Sequence, residues 1–201
     1  KELVRVITTS TTYQLSSVPN EHNGRDKHYY SRFQPKRLTA EVLFDSLNDL
    51  ILTRSNFGGL PVGTRAVCLP DNSYNSANYF LSVFGRPDSS SACECERSQE
   101  ASLAQSLHLF NAKNIHEQLA HKEGRAAKLT ADKGRDHAAK INSLYYQAFA
   151  RLPRKSEIDV AVDYLKREAV GKDGKPADKT KERYEDVLWA LVNTKEFLFN
   201  H

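Results

Sequence analysis

The feature that most restricts this chain is the spacing of its apolar residues. From His137 onward Ile141, Leu144, Tyr145, Ala148, Phe149 and Leu152 recur at intervals of three and four, up to Pro153. That period gathers them on one face of an α-helix and does not fit the alternation of a half-buried strand. Pro153 then ends the run, because proline lacks an amide proton and its ring clashes with the preceding turn. Ile158, Val162 and Leu165 repeat the pattern after a short connection, which predicts an antiparallel neighbour. Tyr184, Val187, Leu188 and Leu191 repeat it again, beside the only tryptophan, Trp189. Nowhere does a period of two persist long enough to build a sheet. The expected fold is all-α, mainly helix with long irregular loops, in an irregular bundle of roughly six to eight helices.

The N-terminal half is less regular. Leu3, Val4 and Ile7 predict a short helix over residues 1–9, stopped by the hydroxyl-rich run Thr8 to Thr12. Residues 18–37, with Pro19 and Asn23-Gly24, read as a surface loop. Thr39 is placed to cap a helix carrying Glu41 in its first turn and Leu43, Leu47, Leu50 and Ile51 inward, ending near Asn56 and Gly58-Gly59. Arg65–Leu69 suggests a short extended piece with Cys68 buried as a small hydrophobe. Tyr79, Phe80, Val83 and Phe84 form an aromatic knot for the core, closed by Gly85-Arg86-Pro87. Ser98 is expected to cap a helix bearing Leu103, Leu107 and Phe110, and Asn114 to Glu117 has capping-box spacing for another through Leu119. Gly124 and Gly134 bracket a further helical piece, 171–176 is a polar loop, and Asn193 to Phe199 makes a terminal turn or short helix. The reading is one domain over 1–201, loop-rich over 1–97 and helical over 98–201.

At 201 residues the chain can bury a real core. No apolar run approaches the roughly 18 residues of a membrane span, and no signal-peptide pattern opens it. It begins inside a helical pattern at Lys1 and contains no methionine, so it reads as a piece excised from a larger protein. The net charge of +4 sits in the C-terminal half, without the basic-aromatic interleaving of single-strand binders, so nucleic acid is not an expected partner.

Reactive residue types concentrate in Ser91-Ala-Cys93-Glu-Cys95-Glu-Arg97-Ser-Gln-Glu100: two cysteines, three carboxylates and a guanidinium before a helical run. A metal would need two more ligands from His108, His116, His121 or Cys68, and no ligand spacing supports one. The seven histidines are scattered and pair with no nucleophile.

Several landmarks together resemble a known family. These are Arg37-Leu-Thr-Ala-Glu41 with Asp45, Gly59-Leu-Pro-Val-Gly63, Phe84-Gly-Arg-Pro87, Cys93-Glu-Cys-Glu-Arg97 and Leu103-Ala-Gln105 with Leu109-Phe-Asn111. Leu152-Pro153, Asp186-Val-Leu-Trp-Ala-Leu-Val-Asn193 and Glu196-Phe-Leu-Phe-Asn200 complete the order. In that order, over nearly the whole chain, they resemble the planctomycete-type secreted domain of unknown function called PSD-one. Cys68 and Arg154-Lys155 depart from its pattern. The resemblance implies the C-terminal module of a large exported protein, periplasmic or at the cell surface, with c-type haem on an upstream domain. This chain lacks Cys-x-x-Cys-His and so carries no cofactor of its own by that signature. No reaction is attached to the family.

An exported setting permits disulfides among Cys68, Cys93 and Cys95. A Cys93–Cys95 link would close a strained ring, whereas Cys68 with either would close a long loop and contribute ~3–4 kcal/mol. A reactive thiolate beside Arg97 and inert thiols are the alternatives. Glu96 and Arg97 are expected in a buried ion-pair network with Arg37, Glu41, Asp45 or Arg86, because burying such charges singly is costly. Three functional classes fit the sequence. The first is a non-catalytic module docking on upstream domains or another exported protein. The second is part of an active site shared with an upstream domain, with Cys93, Cys95, Glu96 and Arg97 as candidates. The third is an extracellular carbohydrate binder stacking sugars on Tyr29, Tyr30, Tyr74 and Tyr79.

Overall fold

In the computed structural model, residues 1–26, 28–71, 73–74, 79–87, 113–167 and 177–200 are described. Nine helices and one two-residue strand pair occur among them, two of the helices being a single turn or little longer. In chain order they are α1 (Glu2–Thr8), β1 (Lys36–Arg37), α2 (Ala40–Ile51), a 3₁₀ turn (Ala66–Cys68), α3 (Tyr79–Val83) and α4 (Lys113–Leu119). Then follow α5 (Arg125–Ala131), α6 (His137–Phe149), α7 (Lys155–Lys166), α8 (Thr180–Val192), α9 (Lys195–Leu198) and β2 (Phe199–Asn200). The protein is mainly α.

Two helices organise the core. α2 buries nine of its twelve residues, with Leu43, Leu47 and Ile51 on one flank. α8 buries Tyr184, Val187, Leu188, Leu191 and Val192 and packs against α5, α6 and α7 as well as α2. Phe44 and Phe57, tilted at 5.8 Å, and the stacked pair Phe80–Phe84 at 4.3 Å fill the end of the core beneath α3. Those contacts explain why an aromatic-rich segment of only five helical residues holds its place. β1 and β2 pair antiparallel, Lys36 opposite Asn200 and Arg37 opposite Phe199, so residues far apart in sequence close the body.

The surplus of basic residues has a structural use. Helix C-termini leave carbonyls without intrahelical donors, and a cation there also meets the negative end of the helix dipole. Arg125 donates to Leu50 O and Asp49 O at the end of α2. Lys181 donates to Ala120 O beyond α4 at 2.6 Å, and Lys140 to Asp132 O beyond α5 at 2.6 Å. Arg183 donates to Leu165 O in the last turn of α7 at 3.2 Å. Each helix end is thus tied by a cation from a helix elsewhere in the sequence.

Four expectations need correction. Arg65–Leu69 is not extended but carries a 3₁₀ turn, whose three-residue period turns Ala66 and Leu69 inward and Val67 and Cys68 outward. Cys68 is therefore exposed, not a buried hydrophobe. α6 stops at Phe149 because Ala150 turns left-handed at φ 55°, which leaves Leu152 outside the helix and 65 % exposed. α4 starts at Lys113, so Asn114 lies inside its first turn instead of capping it.

Candidate functional site

Along α2, residues 41, 45 and 48 follow one another at four and three, so their side chains form a stripe. Glu41, Asp45 and Asn48 are all buried there, which demands partners for each. Arg86, itself buried, brings Nε to 3.3 Å from Glu41 Oε1 and donates through a second nitrogen to Asp71 O at 3.0 Å. Asp45 accepts the backbone N–H groups of Ala66 at 2.7 Å and Val67 at 3.2 Å, which lie at the start of the 3₁₀ turn. Arg65 adds its Nε at 3.5 Å and pairs with Asp49 at 3.0 Å through a terminal nitrogen. Asn48 accepts the Thr53 hydroxyl at 2.7 Å, steadying the left-handed exit at Leu52. The stripe thus fastens three loops to one helix.

Of the sequence-predicted network, the structure puts Glu41 against Arg86. Arg37 donates to Phe84 O at 3.0 Å and lies over the Phe84 ring at 5.7 Å, and burial draws its guanidinium below the ordinary arginine range. Asp45 faces Arg65, which sequence reading missed because a lone arginine in a loop carries no periodic signal. Cys93, Cys95, Glu96 and Arg97, and His108 with them, lie outside the described residues. Among the described residues no three His, Cys, Asp or Glu side chains converge in a geometry that could hold a metal. No helix there is long and apolar enough to cross a membrane. Of the four tyrosines considered for sugar stacking, Tyr29, Tyr30 and Tyr79 are exposed, whereas Tyr74 packs against the core.

A second arrangement went unseen in the sequence. Arg151 leaves the end of α6 and donates two hydrogen bonds each to Glu157 of α7 and Glu196 of α9, at 2.6–2.9 Å. Its guanidinium lies 5.5 Å from the centroids of both Tyr145 and Phe149. Planar, doubly bidentate geometry of this kind fixes orientation as well as charge. Arg151 holds the Glu157 carboxyl down at about 2. Glu157 also accepts the Arg154 N–H at 2.6 Å and so anchors the start of α7.

This clamp forms one end of an open groove of about 780 Å³ between α7 and α8. Val160 and Tyr164 of α7 wall one side, and Trp189, Ala190 and Leu191 of α8 the other. Tyr164 donates its hydroxyl proton to Asp186 Oδ2, and that bond, ahead of burial, raises the tyrosine's pKa. The two charged groups lining the groove are carboxylates, Glu157 and Asp186. Val160 on the α7 wall is 71 % exposed. The sequence did carry a signal: Val160 and Tyr164 lie four apart on α7, off the core stripe of Ile158, Val162 and Leu165.

The profile of the PSD1 family, described as "Protein of unknown function (DUF1553)", matches residues 1–165. The match covers most of the chain and takes in the α2 stripe and the α7 wall, as the motifs led one to expect. Searches of curated proteins and of solved structures find no match. The chain belongs to the PSD1 family of proteins of unknown function.

Proposed function

We propose that this domain is a non-catalytic helical interaction module that docks on other domains of its own polypeptide or on another exported protein. The groove between α7 and α8 carries the reading. Its walls are apolar and aromatic, its ends are polar, and the Arg151 clamp pre-orients it. Such a surface gains by excluding water against a second apolar face, and rigid walls lower the ordering cost of doing so. The buried stripe on α2 supports the same view, since each of its polar groups is used to hold loops. The family resemblance supplies the setting of this proposal: an exported protein whose upstream domain carries c-type haem.

The test is site-specific photo-crosslinking in the full-length protein within its native cell. A photoreactive residue replaces Val160 in the groove or, as a control, Asp159 on the outer face of the same helix. Polypeptide adducts from position 160 and not from 159 are expected. Equal adducts from both positions, or none from 160, would overturn the reading.

A further inference from the structure

A basic cleft lies where α2, α4 and α5 meet. α2 leaves through the left-handed Leu52 into Thr53 and Arg54, while α4 ends at Leu119 and turns through His121 and Gly124 into α5. These walls are fastened to one another. Arg125 at the start of α5 donates to Leu50 O and Asp49 O of α2. A Cβ at Gly124 would stand 3.2 Å from His121 O and 3.5 Å from Ile51 O, so the turn sits closely on α2. Between them opens a cleft of about 920 Å³, the size of a small-ligand site. It shares no lining residue with the α7–α8 groove.

Its charge is one-sided. Arg54, Lys122 and Lys128 line it against a single carboxylate, Glu123. None of the three cations has a hydrogen-bond or ion-pair partner among the described residues. By contrast, Arg65, Arg86, Arg135 and Arg151 each hold a carboxylate. Arg54 also borders the smaller hollow of Asp45 and Asp49, but Arg65 already engages both of those. His121 accepts the Glu123 N–H on Nδ1 at 3.2 Å, which leaves the proton of the neutral ring on Nε2 as a further donor. Helix C-termini ordinarily repel an anion. Here Arg125 takes carbonyls at the end of α2 and Lys181 takes Ala120 O beyond α4, so that negative potential is covered. Gathering like charges in a concave surface costs free energy that an opposite charge offsets, and a cleft focuses the field.

The walls also set the shape of anion that fits. Beside the charged groups they present Leu52, Ala127 and Ala131, and among the described residues no phenyl, phenol or indole ring that could stack a nucleobase. Affinity has to come from the anionic groups themselves. Two or more held close together engage several cations at once, as a lone charge cannot. We infer that this cleft binds a compact, multiply charged oxyanion, an oligophosphate or a polycarboxylate, through Arg54, Lys122 and Lys128.

Isothermal titration calorimetry on the 201-residue chain tests this with pyrophosphate, citrate and orthophosphate. Pyrophosphate or citrate should bind one per chain and about tenfold more tightly than orthophosphate. The tighter of the two names the source, phosphate or carboxylate. Arg54→Gln and Lys128→Gln should each weaken binding about fivefold, and Glu123→Gln should strengthen it about threefold. Lys166→Gln removes an exposed cation outside the cleft and should change nothing, which separates the site from net charge. All four positions are exposed, so circular dichroism should show every variant folded.

No binding of either polyanion, by calorimetry and by equilibrium dialysis, would overturn the inference. Equal losses from Lys166→Gln and Lys128→Gln, or weaker binding by Glu123→Gln, would do the same. So would a single-stranded oligonucleotide that binds more tightly than pyrophosphate at equal phosphate concentration, because the cleft would then be part of a nucleic-acid track.

Discussion

Glu41 and Arg86 illustrate how a buried charge pair is held. Both side chains are under a tenth exposed, and Nε faces Oε1 at 3.3 Å. Glu41→Ala strips Arg86 of that carboxylate in a site where water cannot replace it, and should cost ~3–5 kcal/mol by urea unfolding. The double change Glu41→Leu with Arg86→Met should recover much of the loss, because two apolar groups remove the desolvation cost together. Titration offers a second residue-scale handle. Tyr184, fully buried with its phenol pushed up to about 12, lies 2.8 Å from His137 Nδ1. Burial, then Lys140 and Lys166, lower the His137 pKa from 6.5, against the opposing charge of Asp136. A lowered pKa favours the neutral ring in the folded state. Its stabilisation is therefore complete above pH 6.5 and lost as pH falls through the lowered value. Glu157, lowered from 4.5 to about 2, contributes fully above pH 4.5 and is lost as pH falls through about 2. Melting temperature followed by circular dichroism should decline in two acid steps. His137→Asn should remove the first and Arg151→Met the second.

At the level of elements, the helix periodicities were legible and the helix ends were not. Ile141, Leu144, Leu165, Tyr184 and Leu188 are buried as their spacing demands, because a core-facing stripe is a property of one helix and its sequence. The end of α6 is different. Pro153 marks where a helix cannot continue, but Ala150 turns left-handed three residues earlier. α2 likewise ends with Leu52 at φ 63°, well before the glycines that looked like its stop. Both non-glycine turns are held from outside, at α2 by Arg125 and beside Ala150 by the Arg151 clamp. Such tertiary causes leave no local signal. Ala150→Gly should relieve the left-handed strain and stabilise the protein by about 1 kcal/mol in the same urea assay. The clamp and the α2 stripe were only half visible for a related reason. Glu41, Asp45 and Arg86 could be suspected from residue type, whereas Arg65, Arg151 and Glu196 come together only through the path of the chain.

Across the whole molecule the burial is uneven. Among the described residues, those from Lys36 to Asn200 hold every buried side chain of the hydrophobic core, and α1 holds none. Deleting residues 1–9 should therefore leave the unfolding free energy within about 0.5 kcal/mol of the parent. A larger loss in chemical denaturation would mean that α1 packs on the body after all. The groove was legible only in part, since the sequence predicts α7 and α8 but neither Val160 and Tyr164 as a wall nor that the helices stand far enough apart to leave about 780 Å³ open. The two-residue ladder of β1 and β2 has a mechanical meaning in a longer polypeptide. Lys36 pairs with Asn200, and Lys36 N–H also donates to Asn200 Oδ1 at 2.9 Å, so entry and exit strands meet at one point. Tension between a segment before Lys36 and one after Asn200 would pull the ladder apart rung by rung, not in shear. The first event under load is then the release of β2 and α9, which carries Glu196 away from Arg151 and unlocks the groove while α2 and its fastened loops stay folded.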